Sequence, residues 1–242
     1  MSPTVLAAIP ARYGATRFPG KPLAAILGRP MIAWVVDAAR AAREVDDVAV
    51  VTDRVEIARA AEAAGARAVV SDRPAASGSD RIAHLLAADP IAGRAAVVVN
   101  VQGDEPLLEP AAIDAAVAEL AGDAGFDIAT LVRPLRASER ADDTDLVKAA
   151  VGGNRRALYF SRAPIPEGGD CRIHIGLYAY RRDAFDRFVA APPTALEKTE
   201  RLEQLRAIEL GLAIGCVDFD SRSIAVDAPD DIARVEAVLR GA

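Results

Sequence analysis

Cysteine is scarce in this sequence, and long apolar runs are absent. Cys171 and Cys216 are its only two cysteines, and they lie far apart without metal-ligand spacing. We therefore expect two ordinary thiols rather than a disulfide framework. Charged residues interrupt every apolar run before it reaches the length that crosses a bilayer. The first residues also lack the basic region, apolar core and small-residue cleavage site of a secretory leader. These absences predict a soluble, cytoplasmic protein.

Positive charge is in deficit overall. The 242 residues contain 29 Lys and Arg against 35 Asp and Glu, which gives a net charge of −6. A nucleic-acid-binding surface needs a basic stripe, so we expect no nucleic-acid partner. A small anionic substrate remains compatible, because local charge decides its binding. The sequence also contains no P-loop, no G-x-G-x-x-G fingerprint, no internal repeat and no Ser-His-Asp or Cys-His constellation.

What the sequence does contain is regular alternation in its first half. Short β-rich runs are separated by segments with apolar residues at helical spacing. The predicted strands cover 4–9, 47–52, 66–71 and 95–102, and the predicted helices cover 31–43, 55–65, 79–89 and 110–122, with Ser79 as a helix N-cap. This alternation predicts an α/β fold with a doubly wound, mostly parallel sheet.

The second half is less regular. Strand-like runs at 126–135, 146–152 and 172–182 have little helix between them, which indicates a smaller antiparallel extension. Two helices are then predicted around 196–211 and 228–241. In the run at 172–182, alternation places His174, Tyr178 and Tyr180 on one face and apolar residues on the other. That polar-aromatic face is typical of a sugar site, and a satisfied structural histidine is a serious alternative.

The loop "IPARYGATRFPGKPL" follows the first predicted strand. Its cations are Arg12, Arg17 and Lys21, and its glycines allow a ligand to approach the backbone. Ligands of parallel α/β sheets bind beyond the carboxyl ends of the strands. Arginine and lysine at that position favour a polyphosphate, whereas a solvated basic turn is the alternative.

Two further stretches place carboxylates after apolar runs. "VVVNVQGDEPLL" ends a buried strand at Asp104 and Glu105, and "SIAVDAPDDIARV" delivers Asp227 just before a helix. Magnesium prefers one or two carboxylates together with substrate oxygens, which makes Asp104 a candidate ligand. Glu105 could equally be structural, and Asp227 could be a helix N-cap. Asp230 and Asp231 are ordinary acidic residues of a first helical turn.

Taken together, these stretches resemble the 3-deoxy-manno-octulosonate cytidylyltransferases, also called CMP-KDO synthetases. The matching segments run in order over nearly the whole chain: "IPARYGATRFPGKPL", "VVTD", "SGSDR", "VNVQGDEP", "ALYFSRAPIP", "HIGLYAYR", "LEKTERLEQLR" and "VDAPDDIARV". The resemblance implies a nucleotide-diphospho-sugar-transferase type of fold in one domain over 1–242. Residues to about 125 would bind the nucleotide, and those from 126 the sugar and a second copy of the chain.

The resemblance also implies an activity, partners and site residues. It implies Mg²⁺-dependent transfer from CTP to KDO for lipopolysaccharide biosynthesis, by a cytoplasmic homodimer without membrane or nucleic-acid partners. The residues implied for CTP are Ala11, Arg12, Lys21, Ser77, Gly78 and Gln102, with Lys21 and Arg12 counted as catalytic. Asp104 and Asp227 are implied as catalytic metal ligands. The residues implied for the sugar acid are Arg17, Arg81, Gln102, His174, Tyr178, Glu203 and Gln204. Glu203 and Gln204 would otherwise be interpreted as surface residues.

Two departures from the family pattern keep alternatives open. The loop "EGGDC" at 167–171 is short, and "AASGSDR" lacks the histidine and glutamine that commonly precede the serine. A related ulosonic or 8-amino sugar acid is therefore an alternative substrate. A glycosyltransferase of the same fold is disfavoured, because its usual pair of aspartates around one variable residue is absent. A binding homologue without activity is disfavoured by the presence of both carboxylates and the basic loop.

Overall fold

The computed structural model describes residues 4–14, 18–122 and 124–241. Its elements in chain order are β1 (Val5–Ala11), β2 (Ala25–Ile26), β3 (Arg29–Pro30), α1 (Met31–Ala41), β4 (Asp47–Thr52), α2 (Val55–Ala63), β5 (Arg67–Val70), α3 (Gly78–Ala88), β6 (Val97–Asn100), α4 (Pro110–Ala121), β7 (Ile128–Pro134), β8 (Lys148–Val151), β9 (Ala157–Ser161), β10 (Arg172–Arg181), α5 (Arg182–Ala190), α6 (Ala195–Glu200), α7 (Gln204–Glu209), β11 (Ile214–Asp218) and α8 (Pro229–Gly241).

The chain divides into two compact units. Unit 1 contains residues 1–114 and 222–242, and unit 2 contains residues 115–221. In unit 1, β6, β1, β4 and β5 lie side by side in that order, and each neighbouring pair is parallel. All four residues of β6 are buried, as expected for an apolar strand covered on both faces.

Unit 1 contains an apolar cluster built from segments outside its parallel strands. The fully buried Ile26, Met31, Val226 and Val235 pack together there, and the partly buried Phe18 packs against them. This cluster joins the β2–β3 hairpin, the start of α1, and α8 with the segment before it. The chain near residue 226 is therefore held by burial although it has no regular secondary structure.

Unit 2 is mainly antiparallel. β7 pairs with β10, β10 with β8, and β8 with β9 in antiparallel fashion, whereas β11 runs parallel to β7. The predicted α/β fold, with mostly parallel strands and an antiparallel extension, is confirmed. The predicted division into a nucleotide part and a sugar part at about residue 125 stays a prediction.

Two local predictions need correction, and some elements were missed. Ser77, not Ser79, is the N-cap of α3, because its side chain accepts the N–H of Asp80 and the Asp80 carboxylate accepts the N–H of Ser77 in return. The helix predicted over 196–211 is two short helices, since Arg201 ends α6 in the left-handed conformation at φ 56°. Elements β9, α5 and β11 were not predicted from the sequence.

Both cysteines are buried and unpaired. Burial raises the pKa of the Cys216 thiol to about 12. A thiol with so high a pKa is a poor nucleophile at neutral pH, because the thiolate is the reactive form. Among the described residues, no helix is long and apolar enough to cross a membrane.

Candidate active site

A cleft of about 400 Å³ opens in unit 1, where β1 and β6 end and α3 begins. Its lining contains nine of the side chains and backbone positions singled out in the sequence: Ala11, Arg12, Lys21, Ser77, Gly78, Arg81, Gln102, Asp104 and Asp227. Arg17, the remaining residue of the basic loop, lies outside the described residues. The carboxyl ends of parallel strands meet at one edge of a sheet, which explains why residues distant in sequence converge here.

The start of the basic loop is hydrogen-bonded to the residue that follows β4. The N–H of Tyr13 donates to Oδ1 of Asp53 at 2.8 Å, and the carbonyl of Tyr13 accepts the N–H of Gly20 at 2.8 Å. Gly20 has a φ of 74°, which glycine adopts without steric cost, and its turn leads into the short helix that begins at Lys21. Asp53 belongs to the "VVTD" stretch, and nothing in the sequence pattern indicates its contact with the loop.

Lys21 connects its own segment with two others at the cleft, those of Asp104 and Asp227. Its Nζ donates to Oδ2 of Asp104 at 2.6 Å and to the carbonyl of Val226 at 2.7 Å. The same Nζ lies 3.7 Å from Oδ1 of Asp227. The Lys21 side chain is 13% exposed, so the ammonium is largely shielded from water by these oxygens.

Asp227 is not the N-cap of α8. The Asp231 carboxylate accepts the N–H groups of both Asp227 and Ala228 at 2.9 Å. These hydrogen bonds hold the pKa of Asp231 below the usual range. Asp231 therefore satisfies the start of the helix, as acidic residues in a first turn often do. The Asp227 carboxylate lines the cleft, and its Oδ1 lies 3.7 Å from Nζ of Lys21.

The segment after β6 holds Asp104 by close backbone contacts. A side chain at Gly103 would place its Cβ 2.9 Å from the carbonyl oxygen of Pro10, so only glycine fits there without a shift of β1. The carbonyl of Asp104 also accepts the N–H of Val226 at 2.9 Å. These two contacts fix the backbone of Asp104 relative to Arg12 and Asp227.

Glu105 is structural rather than exposed to the cleft. It accepts the hydroxyl of Ser223 at 2.9 Å, which ties the segment after β6 to the segment before Val226. Burial, with a smaller contribution from the charge of Asp104, raises the pKa of Glu105 to about 7, although the hydrogen bond from Ser223 acts in the opposite direction. Of the two adjacent carboxylates, only Asp104 lines the cleft.

The start of α3 contributes a buried arginine. Arg81 is 8% exposed, and its Nη1 has no hydrogen-bond partner among the described residues. A buried guanidinium N–H without a partner is costly unless a ligand satisfies it. The amide nitrogen of Gln102 donates to Oδ1 of Asn100 at 3.2 Å, which turns the Gln102 carbonyl oxygen away from Asn100. Both side chains line the cleft and can bind a polar anion there.

The donor set of the cleft fits a magnesium ion. Asp104 and Asp227 supply two carboxylates, and no group of three or more His, Cys, Asp or Glu side chains suited to a metal occurs in the described part of the chain. Magnesium typically binds one or two protein carboxylates, and substrate phosphates and water complete its shell. The lysine ammonium between the two carboxylates also indicates that they favour a cation at this position.

Unit 2 brings together the aromatic residues predicted on one face of β10. The rings of His174 and Tyr178 lie 5.2 Å apart, and those of Tyr178 and Tyr180 lie 5.9 Å apart. A bulge between Ile175 and Tyr178 interrupts the pairing with β7. Burial raises the pKa values of both tyrosines, so their hydroxyls stay protonated and can donate hydrogen bonds.

The hydrogen bond between Thr130 and His174 indicates which ring nitrogen of His174 carries the proton. Oγ1 of Thr130 lies 2.9 Å from Nε2 of His174 and 2.8 Å from the carbonyl of Leu177. The single hydroxyl proton goes to that carbonyl, so Nε2 carries the imidazole proton and donates it to Thr130. Burial lowers the pKa of His174 to about 3, so the ring is neutral at pH 7.

Glu203 and Gln204 lie at the start of α7 in unit 2. Gln204 is only 6% exposed, which corrects its interpretation as a surface residue by sequence pattern alone. Glu203 is partly buried, and its carboxylate lies 3.7 Å from Nη2 of Arg206. Arg206 in turn pairs with the buried Glu197, so α6 and α7 are joined by ion pairs.

Comparisons with known proteins identify the family. The family model described as "Cytidylyltransferase" matches residues 6–214. A 3-deoxy-manno-octulosonate cytidylyltransferase of Anaeromyxobacter dehalogenans is 50% identical over 237 residues, which are 96% of each chain. The enzyme of the same name from Methylobacterium radiotolerans is 50% identical over 241 residues, covering 98% of this chain and 97% of its own.

A solved structure agrees with these relatives. A CMP:2-keto-3-deoxy-manno-octonic acid synthetase complexed with CTP superposes with a TM-score of 0.91 at 34% identity. The alignment covers 98% of this chain and 99% of the other. The sequence stretches, the fold and the full-length similarity agree, and the chain belongs to the 3-deoxy-manno-octulosonate cytidylyltransferase family.

Proposed function

We propose that this protein activates 3-deoxy-manno-octulosonate (KDO) with CTP, forming CMP-KDO and diphosphate. The observation that carries the proposal is the convergence of Arg12, Lys21, Asp104 and Asp227 on one cleft in a chain that is 50% identical to named KDO cytidylyltransferases. Cations and carboxylates in one cleft suit a reaction between a nucleoside triphosphate and a sugar acid.

The nucleotide is assigned to the cleft of unit 1. Arg12 and Lys21 would bind the phosphates of CTP, with arginine supplying a planar fork and lysine a movable point charge. Ser77 and Gly78 at the start of α3 would lie beside the cytosine, with Ala11 and Gln102 completing the CTP contacts. The positive end of the α3 dipole adds to the attraction for an anionic ligand.

The reaction is a substitution at the α-phosphorus of CTP. The anomeric 2-hydroxyl oxygen of the sugar acid forms a bond to that phosphorus and loses its proton to water. The bond between the α-phosphorus and the bridging oxygen breaks, and diphosphate leaves with the electron pair. Arg12 and Lys21 would stabilise the negative charge that develops on the diphosphate.

We assign Asp104 and Asp227 as the ligands of the magnesium ion. When bound, such an ion neutralises phosphate charge and lowers the pKa of a coordinated hydroxyl. The two aspartates would hold and orient the ion, and the contact of Gly103 with β1 keeps Asp104 in place for that task.

We assign the sugar acid to the residues that the family resemblance implies for it. Arg81, with its unpaired Nη1, would bind the sugar carboxylate together with Arg17, and Gln102 would bind a hydroxyl. His174, Tyr178, Glu203 and Gln204 are assigned to the sugar acid on the basis of the family resemblance. On the same basis, the protein acts as a cytoplasmic homodimer in lipopolysaccharide biosynthesis.

A coupled diphosphate-release assay tests the proposal. Rapid release is expected only when CTP, KDO and Mg²⁺ are all present, and EDTA should abolish it. UTP in place of CTP and a panel of ulosonic acids, including an 8-amino analogue, test the base and the sugar. Light scattering tests the dimer, which should have twice the chain mass of 25.3 kDa.

Release with none of the acids would overturn the proposed activity. Faster release with another acid would change the substrate to that acid. A rate that is unaffected by EDTA would remove the metal from the reaction.

A further inference from the structure

Lys21 occupies the position between the two carboxylates assigned to the metal. Its Nζ lies 2.6 Å from Oδ2 of Asp104, 3.7 Å from Oδ1 of Asp227 and 2.7 Å from the carbonyl of Val226. All three contacts are to oxygen atoms, which are also the preferred ligands of magnesium. The ammonium group therefore sits where a bound cation would be expected.

The ammonium and a magnesium ion cannot share this position. Magnesium binds oxygen ligands at about 2.0–2.1 Å, so an ion held by both carboxylates would lie close to an ammonium that is itself near both of them. Two cations at this short separation would also repel each other strongly where little water screens them. The metal and the lysine therefore compete for the negative charge of Asp104 and Asp227.

We infer that Lys21 is the resident counter-ion of the two carboxylates in the nucleotide-free protein, and that metal binding requires its ammonium to move to the nucleotide phosphates. This inference rests on the proposed metal role of Asp104 and Asp227. The inference predicts that the metal binds weakly to the protein without nucleotide. The metal binds tightly only together with a triphosphate, whose phosphates bind the Lys21 ammonium after it leaves the carboxylates.

The local structure allows this movement. The backbone of Lys21 is held by the turn at Gly20 and by the hydrogen bond from the N–H of Ala24 to the Lys21 carbonyl at 3.0 Å. Its four-carbon stem can therefore change rotamer without a change in the main chain. Arg12 and Gly78 line the same cleft, so a triphosphate bound there would lie within reach of the ammonium.

The test measures binding of Mn²⁺ alone, without nucleotide. Mn²⁺ shares the oxygen-ligand preference of Mg²⁺, and the free ion can be counted by electron paramagnetic resonance. The Lys21→Met variant removes the competing charge but keeps the length of the side chain. We expect it to bind Mn²⁺ about tenfold more tightly than the wild type, a difference of about 1.4 kcal/mol.

Two controls isolate the cause. Lys198→Met makes the same charge change at an exposed lysine outside the cleft, and it should bind Mn²⁺ as the wild type does. The double variant Lys21→Met with Asp227→Asn should lose the added affinity, because one carboxylate is gone. A second variant, Lys21→Gln, should show the same gain in Mn²⁺ affinity as Lys21→Met. Thermal unfolding of both variants checks that they are folded.

Addition of CTP completes the test. CTP should tighten Mn²⁺ binding strongly in the wild type and much less in Lys21→Met, because the lysine no longer has to be displaced. Equal Mn²⁺ affinities of wild type and Lys21→Met without nucleotide would overturn the inference. Failure of the proposed function has a different result. The wild type would then release no diphosphate, although Lys21→Met would still bind Mn²⁺ more tightly than the wild type.

Discussion

The backbone N–H of Tyr13 donates a 2.8 Å hydrogen bond to the carboxylate of Asp53, 40 residues further along the chain. Tyr13 directly follows Arg12, and Arg54 stacks over the Tyr13 ring at 5.4 Å. The end of β4 thus holds the start of the basic loop in place. Asp53 contacts the loop and is absent from the cleft lining, so its effect on a ligand passes through the position of Arg12.

Asp53→Ala should therefore weaken CTP binding. A hydrogen bond to a charged group contributes about 1.5–3 kcal/mol, so we expect the KM for CTP to rise by about tenfold or more while the KM for KDO changes less. Asp53→Asn keeps an acceptor oxygen and should restore most of the affinity. Asp37→Ala, which removes an exposed partner of Arg29, is the control. An unchanged KM for CTP in Asp53→Ala would show that the position of the loop does not depend on the hydrogen bond between Tyr13 and Asp53.

Asp104→Asn and Asp227→Asn should each abolish turnover while the fold stays intact. A catalytic metal ion contributes several kcal/mol, so diphosphate release should fall by at least about a hundredfold. Asp230→Asn is the matched control, since Asp230 is exposed in the first turn of α8 and lies outside the cleft lining. Steady-state rates of diphosphate release measure the loss of turnover, and thermal unfolding checks that the fold is intact. Full activity in either variant would remove that residue from the metal site.

Gly103→Ala should disturb the cleft through the main chain. The added Cβ would lie 2.9 Å from the Pro10 carbonyl, so the segment that carries Asp104 must move away from β1. We expect a loss of about 1–3 kcal/mol in the free energy of unfolding, as for other overpacked sites, and a lower rate of diphosphate release. Gly153→Ala, where no atom lies within 4 Å of the added Cβ, is the control. If both variants behave alike, the close approach is unimportant.

Glu197→Ala should destabilise unit 2. Glu197 accepts a 2.8 Å hydrogen bond from Nε of Arg206, and both side chains are buried. Removal of Glu197 leaves the buried Arg206 guanidinium with only the more distant Glu203 carboxylate at 3.7 Å, which should cost about 3 kcal/mol, the low end for a broken buried pair. Asp186→Ala removes an exposed carboxylate paired with Arg182 and should cost less than about 0.5 kcal/mol. Urea unfolding compares the two, and similar losses would contradict the expected effect of burial.

His174 should make stability depend on pH. The folded pKa of about 3 lies below the usual histidine value of 6.5, so between these pH values the unfolded chain binds a proton that the folded chain does not. Stability contributed by the neutral ring is therefore present above pH 6.5 and is lost as the pH falls. Between pH 7 and pH 5, the wild type should lose about 1–2 kcal/mol more than His174→Gln. Parallel losses in the two proteins would contradict this pKa.

Much of unit 1 could be predicted from local pattern. The apolar runs of β1, β4 and β6 and the helical spacing of α1 are properties of short segments, and burial on both faces requires them. The rule that ligands bind beyond strand ends then located Arg12 and Asp104 correctly at one edge. The break between α6 and α7 escaped prediction, because the left-handed conformation of Arg201 has no signal in local apolar spacing.

By itself, the sequence determined the fold class, the family and the residue types of the site, because strand and helix periodicity and the quoted stretches are local properties of the chain. Only the tertiary structure decided which groups meet. Lys21 contacts Asp104 across 83 residues and the Val226 carbonyl across 205. Such contacts depend on how the elements pack, as do the tie from Asp53 and the burial that raises the pKa of Glu105.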